Sequence, residues 1–347
     1  MKCVGPDSEQ AGKAKSCVGC LNQSACANNA RNSGDLTAEL VHERLSGVKH
    51  VIMVLSGKGG VGKSTVSCQL AAALANEGRD VGLLDIDICG PSVPQMLGLK
   101  GRGIHQSSTG WTPVFVDVGA GTGELGVMSV GFMLPDDDNA VIWRGPRKSG
   151  LIRQFLIEVD WGELDYLIID TPPGTSDEHI SVAQYLKMVD IGAIVVTTPQ
   201  EVSMQDVRKE LNFCAKTKIR VIGVLENMNQ LLIPLSHLNF VERKTGRDQT
   251  EYVRGVLQQC DLQQCDASIT IFQCALDNSP QSMAARFNVP YLGALPLDPS
   301  LQRACESGTC LVCQCQQHSP AFTPFVRLVD TMLSIITANK AKIPSQA

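Results

Sequence analysis

Short apolar runs recur between residues 48 and 300: HVIMVLSG, DVGLLDID, DYLIID, DIGAIVVTT, IRVIGVLEN and YLGALPL. Each is continuous rather than alternating and rich in β-branched residues. Strands buried on both faces of a parallel sheet read this way. Amphipathic stretches lie between them, such as GKSTVSCQLAAALANEG, ending at Gly78, and SMQDVRKELNFCAKT. This alternation predicts an α/β fold with a mostly parallel, doubly wound sheet. Upstream, DLTAELVHERLSG predicts a linker helix over 35–47. Asp35 is its N-cap, Leu36, Leu40 and Leu45 its apolar stripe, and Gly47 its stop. Near the C-terminus, FTPFVRLVDTMLSII places Phe325, Leu328, Val329, Met332, Leu333 and Ile336 on one helical face. Packing on the sheet is the role this face predicts.

Composition narrows the class. The chain has 347 residues, 44% hydrophobic and 19% charged, with a net charge of −5. That is ordinary globular composition without a basic block, so phosphate-neutralising contact with nucleic acid is not expected. The N-terminal stretch lacks the apolar core of a secretory leader. No run approaches the roughly 20 apolar residues of a spanning helix. Arg327, Lys340 and Lys342 are too scattered to give the last helix a lipid-facing basic side. The expectation is a cytoplasmic chain with no membrane span, whose 14 cysteines are thiols or metal ligands rather than disulfides.

The sharpest local signal is LSGKGGVGKST. It follows the first buried strand, opens the first long helix, and fits G-x-x-x-x-G-K-[ST] at Gly57, Gly62, Lys63 and Ser64. Glycines at Gly57, Gly59, Gly60 and Gly62, with Val61 between, let backbone N–H groups face phosphates. The helix N-terminus adds positive potential. Lys63 then reaches the β/γ-phosphates of ATP, Ser64 ligates Mg²⁺, and Thr65 completes the loop. Two further strands end in carboxylates: LLDIDICGPS at Asp85 and Asp87, and YLIIDTPPGTSDEH at Asp170. Asn227 closes IRVIGVLEN. Its amide suits the donor–acceptor edge of adenine, although Asn at a strand end also caps turns.

The full stretch G-K-G-G-V-G-K-S-T resembles the deviant Walker A loop of the dimeric P-loop ATPases that include nitrogenase iron protein, MinD and ParA. That resemblance implies a dimer in which Lys58 reaches the partner's nucleotide. It also implies that Asp87 orients the attacking water and that Asp170, at the Walker B position, holds the Mg²⁺ shell.

Four cysteines, Cys3, Cys17, Cys20 and Cys26, lie in an arm over residues 1–34 that has little to bury. By ligand count they suit zinc or a [4Fe–4S] cluster about equally. The motifs DIDICGPSVP, WRGP, DTPPGTSDEH, TTPQEVSMQDVRK and PLDP resemble the Mrp/nucleotide-binding-protein ATPases. The C-x13-C-x2-C-x5-C arm is similar to that of their long cytosolic branch. The resemblance favours the cluster. It implies an ATP-dependent scaffold that assembles [4Fe–4S] clusters and passes them to cytosolic and nuclear apo-proteins with the help of targeting factors. It also implies pairing as a homodimer or with a shorter paralogous ATPase. The domains read as the arm, the linker helix over 35–47, a P-loop ATPase domain over 48–335 and a tail over 336–347. An insertion falls at about 231–265.

One departure stands out. Where that family carries C-P-x-C for a cluster shared between subunits, this chain has Ile233-Pro234-Leu235-Ser236. Cys260 and Cys265, in the insertion, are candidates to replace the lost pair, and the alternative is that they are incidental thiols. Cys305, Cys310, Cys313 and Cys315, followed by His318, read as loop thiols, with a zinc or cluster site as the alternative. Cys68, Cys89, Cys214 and Cys274 read as packing or near-switch residues. Rival functions are a MinD/ParA-like positioning ATPase, an electron carrier, and a P-loop ATPase with a structural zinc arm.

Overall fold

The computed structural model describes residues 36–118, 123–133, 145–262, 265–272, 278–312 and 319–340, together with Ala14, Lys15, Val18 and Gln23. In chain order, α1 (36–44) leads into β1 (Val48–Ser56), α2 (Lys63–Asn76), β2 (Val81–Asp85) and a short α3 (Val93–Met96). A small hairpin, β3 (His105–Gln106) and β4 (Trp111–Thr112), precedes β5 (Val114–Val116) and β6 (Leu125–Ser129). Then come α4 (Gly145–Glu158), β7 (Leu164–Asp170), α5 (Asp177–Tyr185), β8 (Ile191–Thr197), α6 (Glu201–Thr217) and β9 (Arg220–Pro234). The chain continues through α7 (Thr250–Gln259), β10 (Asp266–Ile269), α8 (Pro280–Arg286), β11 (Tyr291–Leu297), α9 (Pro299–Glu306) and α10 (Phe322–Lys340).

The main sheet runs β10-β9-β8-β1-β7-β2-β6-β5, with β11 also pairing with β9. The pairs from β9 across to β6 are parallel, as is β11 on β9. The outer strands β5 and β10 run antiparallel to their neighbours. The doubly wound parallel sheet expected from the apolar runs is therefore present. Alternate residues feed two cores. Ile52 and Val54 of β1 pack with Leu70 and Leu74 of α2 and with Phe325, Leu328 and Met332 of α10. Val51, Met53 and Leu55 face the other way, toward Phe155 of α4 and Met204, Val207 and Leu211 of α6. Truncating a fully buried Phe155 or Phe325 to Ala would cost about 3–5 kcal/mol.

Two readings are corrected at the edges. In α1 the buried face is Ala38, Val41 and Leu45, while Leu36 and Leu40 are exposed. The spacing of three and four residues from Ala38 keeps one side of a 3.6-residue helix on the core, and small Ala38 sits where Leu36 was expected. α10 continues to Lys340, into the stretch read as tail. Asp35, the expected cap, and the arm cysteines Cys3, Cys17, Cys20 and Cys26 lie outside the described residues, as do Cys274, Cys313, Cys315 and His318. Among the described residues no helix is long and apolar enough to cross a membrane.

Candidate nucleotide site

β1 ends in the middle of the sheet, flanked by β7 and β8, so the loop that follows it opens at the carboxyl ends of three strands. Gly60 and Gly62 adopt φ values of 80° and 86°, which favour glycine. A Cβ on Gly62 would come within 2.2 Å of Asn227 Nδ2, and one on Gly57 within 2.6 Å of Asp206 Cβ. No side chain caps the N-terminus of α2, and its first turn holds no acidic residue. That leaves the N–H groups of the first turn without a side-chain cap, an arrangement that favours an anion.

Lys63, Ser64 and Asp170 converge as the sequence predicts. Lys63 Nζ is 2.8 Å from Asp170 Oδ1, with 6% and 0% of the two side chains exposed. Ser64 Oγ donates to Asp170 Oδ2 at 2.7 Å, and Lys63 Nζ donates to Ser64 Oγ at 3.1 Å. Ser67, one turn further along α2, donates to Asp170 Oδ1 at 2.6 Å. Sequence reading passed over Ser67, although its i+4 spacing from Lys63 puts both on one helical face. Ser64 and Asp170 are hard oxygen donors side by side, which is the chemistry Mg²⁺ requires.

Asp87 is half-buried in the same cavity. Burial is the main force raising its carboxyl pKa, and Asp170 and Glu178 add to it, while Lys63 and Lys148 oppose the rise. The preceding Asp85 is fully buried and accepts from Ser129 Oγ at 2.9 Å and Asp87 N at 3.0 Å. Burial and then the Asp170 charge push Asp85 far above the usual carboxylate range. Past Asp170, DTPPGTSDEH turns at Gly174 into α5. There His179 is buried and its Nδ1 accepts from Ser176 N at 3.2 Å. Burial lowers its pKa to about 4, so the ring is neutral and can accept.

Lys58 turns away from Asp170. Its Nζ lies 2.9 Å from Asp206 Oδ2 on α6, with nearly half of the lysine side chain exposed. Lys209 and Lys58 together hold the Asp206 carboxyl below its usual range. No local sequence signal marks Asp206. It arrives because β8, which leads into α6, is paired with β1.

Two contiguous cavities complete the site. One, of about 350 Å³, is lined by Lys58, Lys63, Ser64, Asp87 and Pro173 among others. The second, of about 340 Å³, shares Gly62, Thr65 and Met228 with the first and adds Asn227, Leu297, Leu301 and Cys305. A polyanion fits the first and a flat aromatic base the second. Asn227 is 4% exposed, and its Nδ2 donates to Val61 O at 2.8 Å, so this amide hydrogen steadies the loop.

The remaining cysteines separate by burial. Cys68 and Cys214 are buried and Cys89 is exposed. Cys305 lies in α9 and is buried, and Cys310 packs into the core with α2. Cys305 is thus a helix residue rather than the loop thiol the sequence suggested, whereas Cys310 does lie in the loop after α9 but is buried. Gln69 of α2 draws this segment inward, accepting from Leu311 N at 2.7 Å and donating to Thr309 O at 3.1 Å. Cys260 and Cys265 are exposed. Among the described residues no group of three or more His, Cys, Asp or Glu could hold a metal ion.

Comparison with known proteins agrees with this geometry. The family model described as ParA, NUBPL iron-transfer P-loop NTPase, matches residues 47–256. The nucleotide-binding protein from Archaeoglobus fulgidus, solved in complex with ADP, is 30% identical with a TM-score of 0.57. The match covers 82% of this chain and 95% of that one. The cell-division ATPase MinD from Pyrococcus furiosus is 19% identical with a TM-score of 0.50, covering 83% of this chain and 99% of its own, a likeness of fold.

Proposed function

Because the chain belongs to the NUBPL iron-transfer family of P-loop NTPases, we propose that this ATPase is a cytoplasmic, Mg²⁺-dependent scaffold that assembles [4Fe–4S] clusters and hands them to apo-proteins. The observation that carries the reading is the Lys63–Ser64–Asp170 network at the mouth of the uncapped helix α2, inside the matched region. Lys63 is positioned to trade its contact with Asp170 for a phosphate oxygen. Ser64 and Asp170 would then hold Mg²⁺, which neutralises charge on the phosphates when bound. Asp87 faces the cavity where an attacking water belongs. The cluster is cargo here, carried by Cys3, Cys17, Cys20 and Cys26.

Dimerisation is part of the proposal, with a second copy or a shorter paralogous ATPase. Nucleotide-driven exchange between subunit arrangements couples hydrolysis to cluster binding or release. Cys260 and Cys265 are proposed as the second ligand pair. β10 pairs antiparallel with the end of β9, placing Asp266 opposite Pro234, and Leu235 N donates to Cys265 O at 3.0 Å. Cys265 thus stands beside the stretch Ile233–Ser236 that lacks cysteines.

The test is anaerobic reconstitution of the full chain with iron and sulfide, for wild type and a Cys17→Ala/Cys20→Ala variant. Iron, sulfide and zinc are counted, and transfer to an apo-acceptor is followed with and without ATP. Wild type should bind iron and sulfide and release them to the acceptor in an ATP-dependent way. Zinc in place of iron, or a cluster that stays and changes only its redox state, would sink the proposal.

A further inference from the structure

Asp170 is fully buried at the end of β7, and its carboxylate takes three side-chain donors among the described residues. Oδ2 accepts from Ser64 Oγ at 2.7 Å. Oδ1 has two partners, Lys63 Nζ at 2.8 Å and Ser67 Oγ at 2.6 Å. All three donors stand at positions i, i+1 and i+4 of α2, which begins at Lys63. Ser67 is itself 0% exposed, and its Oγ also lies 3.1 Å from Lys63 O, one turn back. A hydroxyl has one proton, and the shorter, charge-assisted contact assigns it to Asp170.

The donors differ in what else they can reach. Lys63 and Ser64 line the phosphate cavity, whereas Ser67 lines neither cavity. A nucleotide that draws Lys63 to its phosphates and Ser64 to Mg²⁺ leaves Ser67 as the described side chain still donating to Asp170. We propose that Ser67 is a positioning residue: it anchors Oδ1 of Asp170 while Lys63 moves to phosphate, and so keeps Oδ2 on the side of Ser64, where Mg²⁺ would be held. The inference rests on reading that cavity as the nucleotide site. In the free chain Ser67 shares Oδ1 with Lys63, and with nucleotide bound it holds Oδ1 alone. Its loss therefore weighs more on the metal-bound state than on the free fold. Removing a group that orients a metal's ligand typically lowers metal affinity about tenfold to a hundredfold.

The experiment uses the full chain as wild type, Ser67→Ala and Ser67→Cys under reducing conditions. Calorimetry gives the affinity for ADP with Mg²⁺ and with chelator, and the readout is the ratio of the two. Any general weakening of the loop acts on both affinities and cancels. Wild type should bind ADP more tightly with Mg²⁺. In both variants that gain should shrink about tenfold to a hundredfold. Ser67→Cys fills the space of the serine with only a weak donor, so a packing role would leave its gain intact. Both variants should keep the wild-type circular dichroism without nucleotide, because Lys63 still holds Asp170. A wild type that binds no ADP, or gains nothing from Mg²⁺, would refute the nucleotide or Mg²⁺ reading and this inference with it. A wild-type gain that Ser67→Ala retains in full, or that Ser67→Cys restores, would overturn the inference alone. Unfolding of both variants without nucleotide would make Ser67 a structural residue and overturn it too.

Discussion

Asp85 and Asp170 stand opposite each other on β2 and β7, as Cα partners in the parallel ladder, and both are fully buried. One cation, Lys63, lies against Asp170 at 2.8 Å. Two neighbouring carboxylates with one ammonium cannot both ionise cheaply. Asp170 takes the lysine and two serine hydroxyls. Among the described residues Asp85 has no cation against it, and burial and then the Asp170 charge push its pKa up.

That asymmetry predicts a pH dependence of stability. A carboxyl whose folded pKa is raised binds more protons folded than unfolded. Its contribution is present at low pH and is lost as pH rises from the unfolded value of about 4 through neutrality. Asp85→Asn keeps the shape without the titration. In thermal melts with chelator present, its Tm should fall less than that of wild type across this window. Parallel declines would show that Asp85 is not the titrating group.

If Lys63 holds a phosphate as proposed, Lys63→Ala removes a contact worth about 3 kcal/mol, and kcat should fall at least about a hundredfold. The same change strands the buried Asp170 charge. Breaking a buried pair costs about 3–5 kcal/mol, so urea unfolding should show lower stability even without nucleotide. Full hydrolysis by Lys63→Ala would refute the site.

The phosphate loop was legible because its specification is local. Nine consecutive residues between a buried strand and a helix set backbone, charge and hydroxyl at once. Asp170 was legible because it ends an apolar run that becomes β7. Asp206 was not, since only the pairing of β8 with β1 delivers α6 to Lys58. The burial of Cys305 and Cys310 was equally hidden, because it depends on Gln69 reaching Leu311 and Thr309 from α2. In α1 the sequence showed a helix and not its inward face, since leucine at positions 36 and 40 outweighed alanine at 38 in any apolar count.

Gly62→Ala should disable the loop. Its φ of 86° strains any L side chain, and the new Cβ would meet Asn227 Nδ2 at 2.2 Å. Nucleotide affinity, measured by calorimetry, should be lost. Adding Asn227→Ala removes the clash and leaves the backbone strain, so it should restore affinity only in part. Full rescue would mean that the clash was the whole effect.

Lys58 and Asp206 form a half-exposed pair, and such pairs contribute about 0–1 kcal/mol. Lys58→Ala should leave the melting temperature nearly unchanged. If Lys58 serves a partner's nucleotide, the same variant should lose ATP-dependent dimerisation in sedimentation. Asp206→Ala, which frees the lysine, should keep or strengthen it. Dimerisation unaffected by Lys58→Ala would remove the trans role.

The insertion supplies the last prediction. Cys260 caps the C-terminus of α7, and Cys265 precedes β10, the outer strand paired with Leu231–Pro234 of β9. Both thiols are exposed. Two thiols on one chain make half a four-thiolate site, so a shared cluster requires the same pair from a second subunit. Cys260→Ser/Cys265→Ser should then lower iron per dimer by one cluster while the arm's cluster remains. Reconstituted dimers should also dissociate more readily on gel filtration under anaerobic conditions. The Cys17→Ala/Cys20→Ala variant should show the opposite pattern, losing the arm's iron and keeping the bridged dimer. Unchanged iron in the Cys260→Ser/Cys265→Ser protein would mean these cysteines are not ligands, and that this chain carries its cargo on the arm alone.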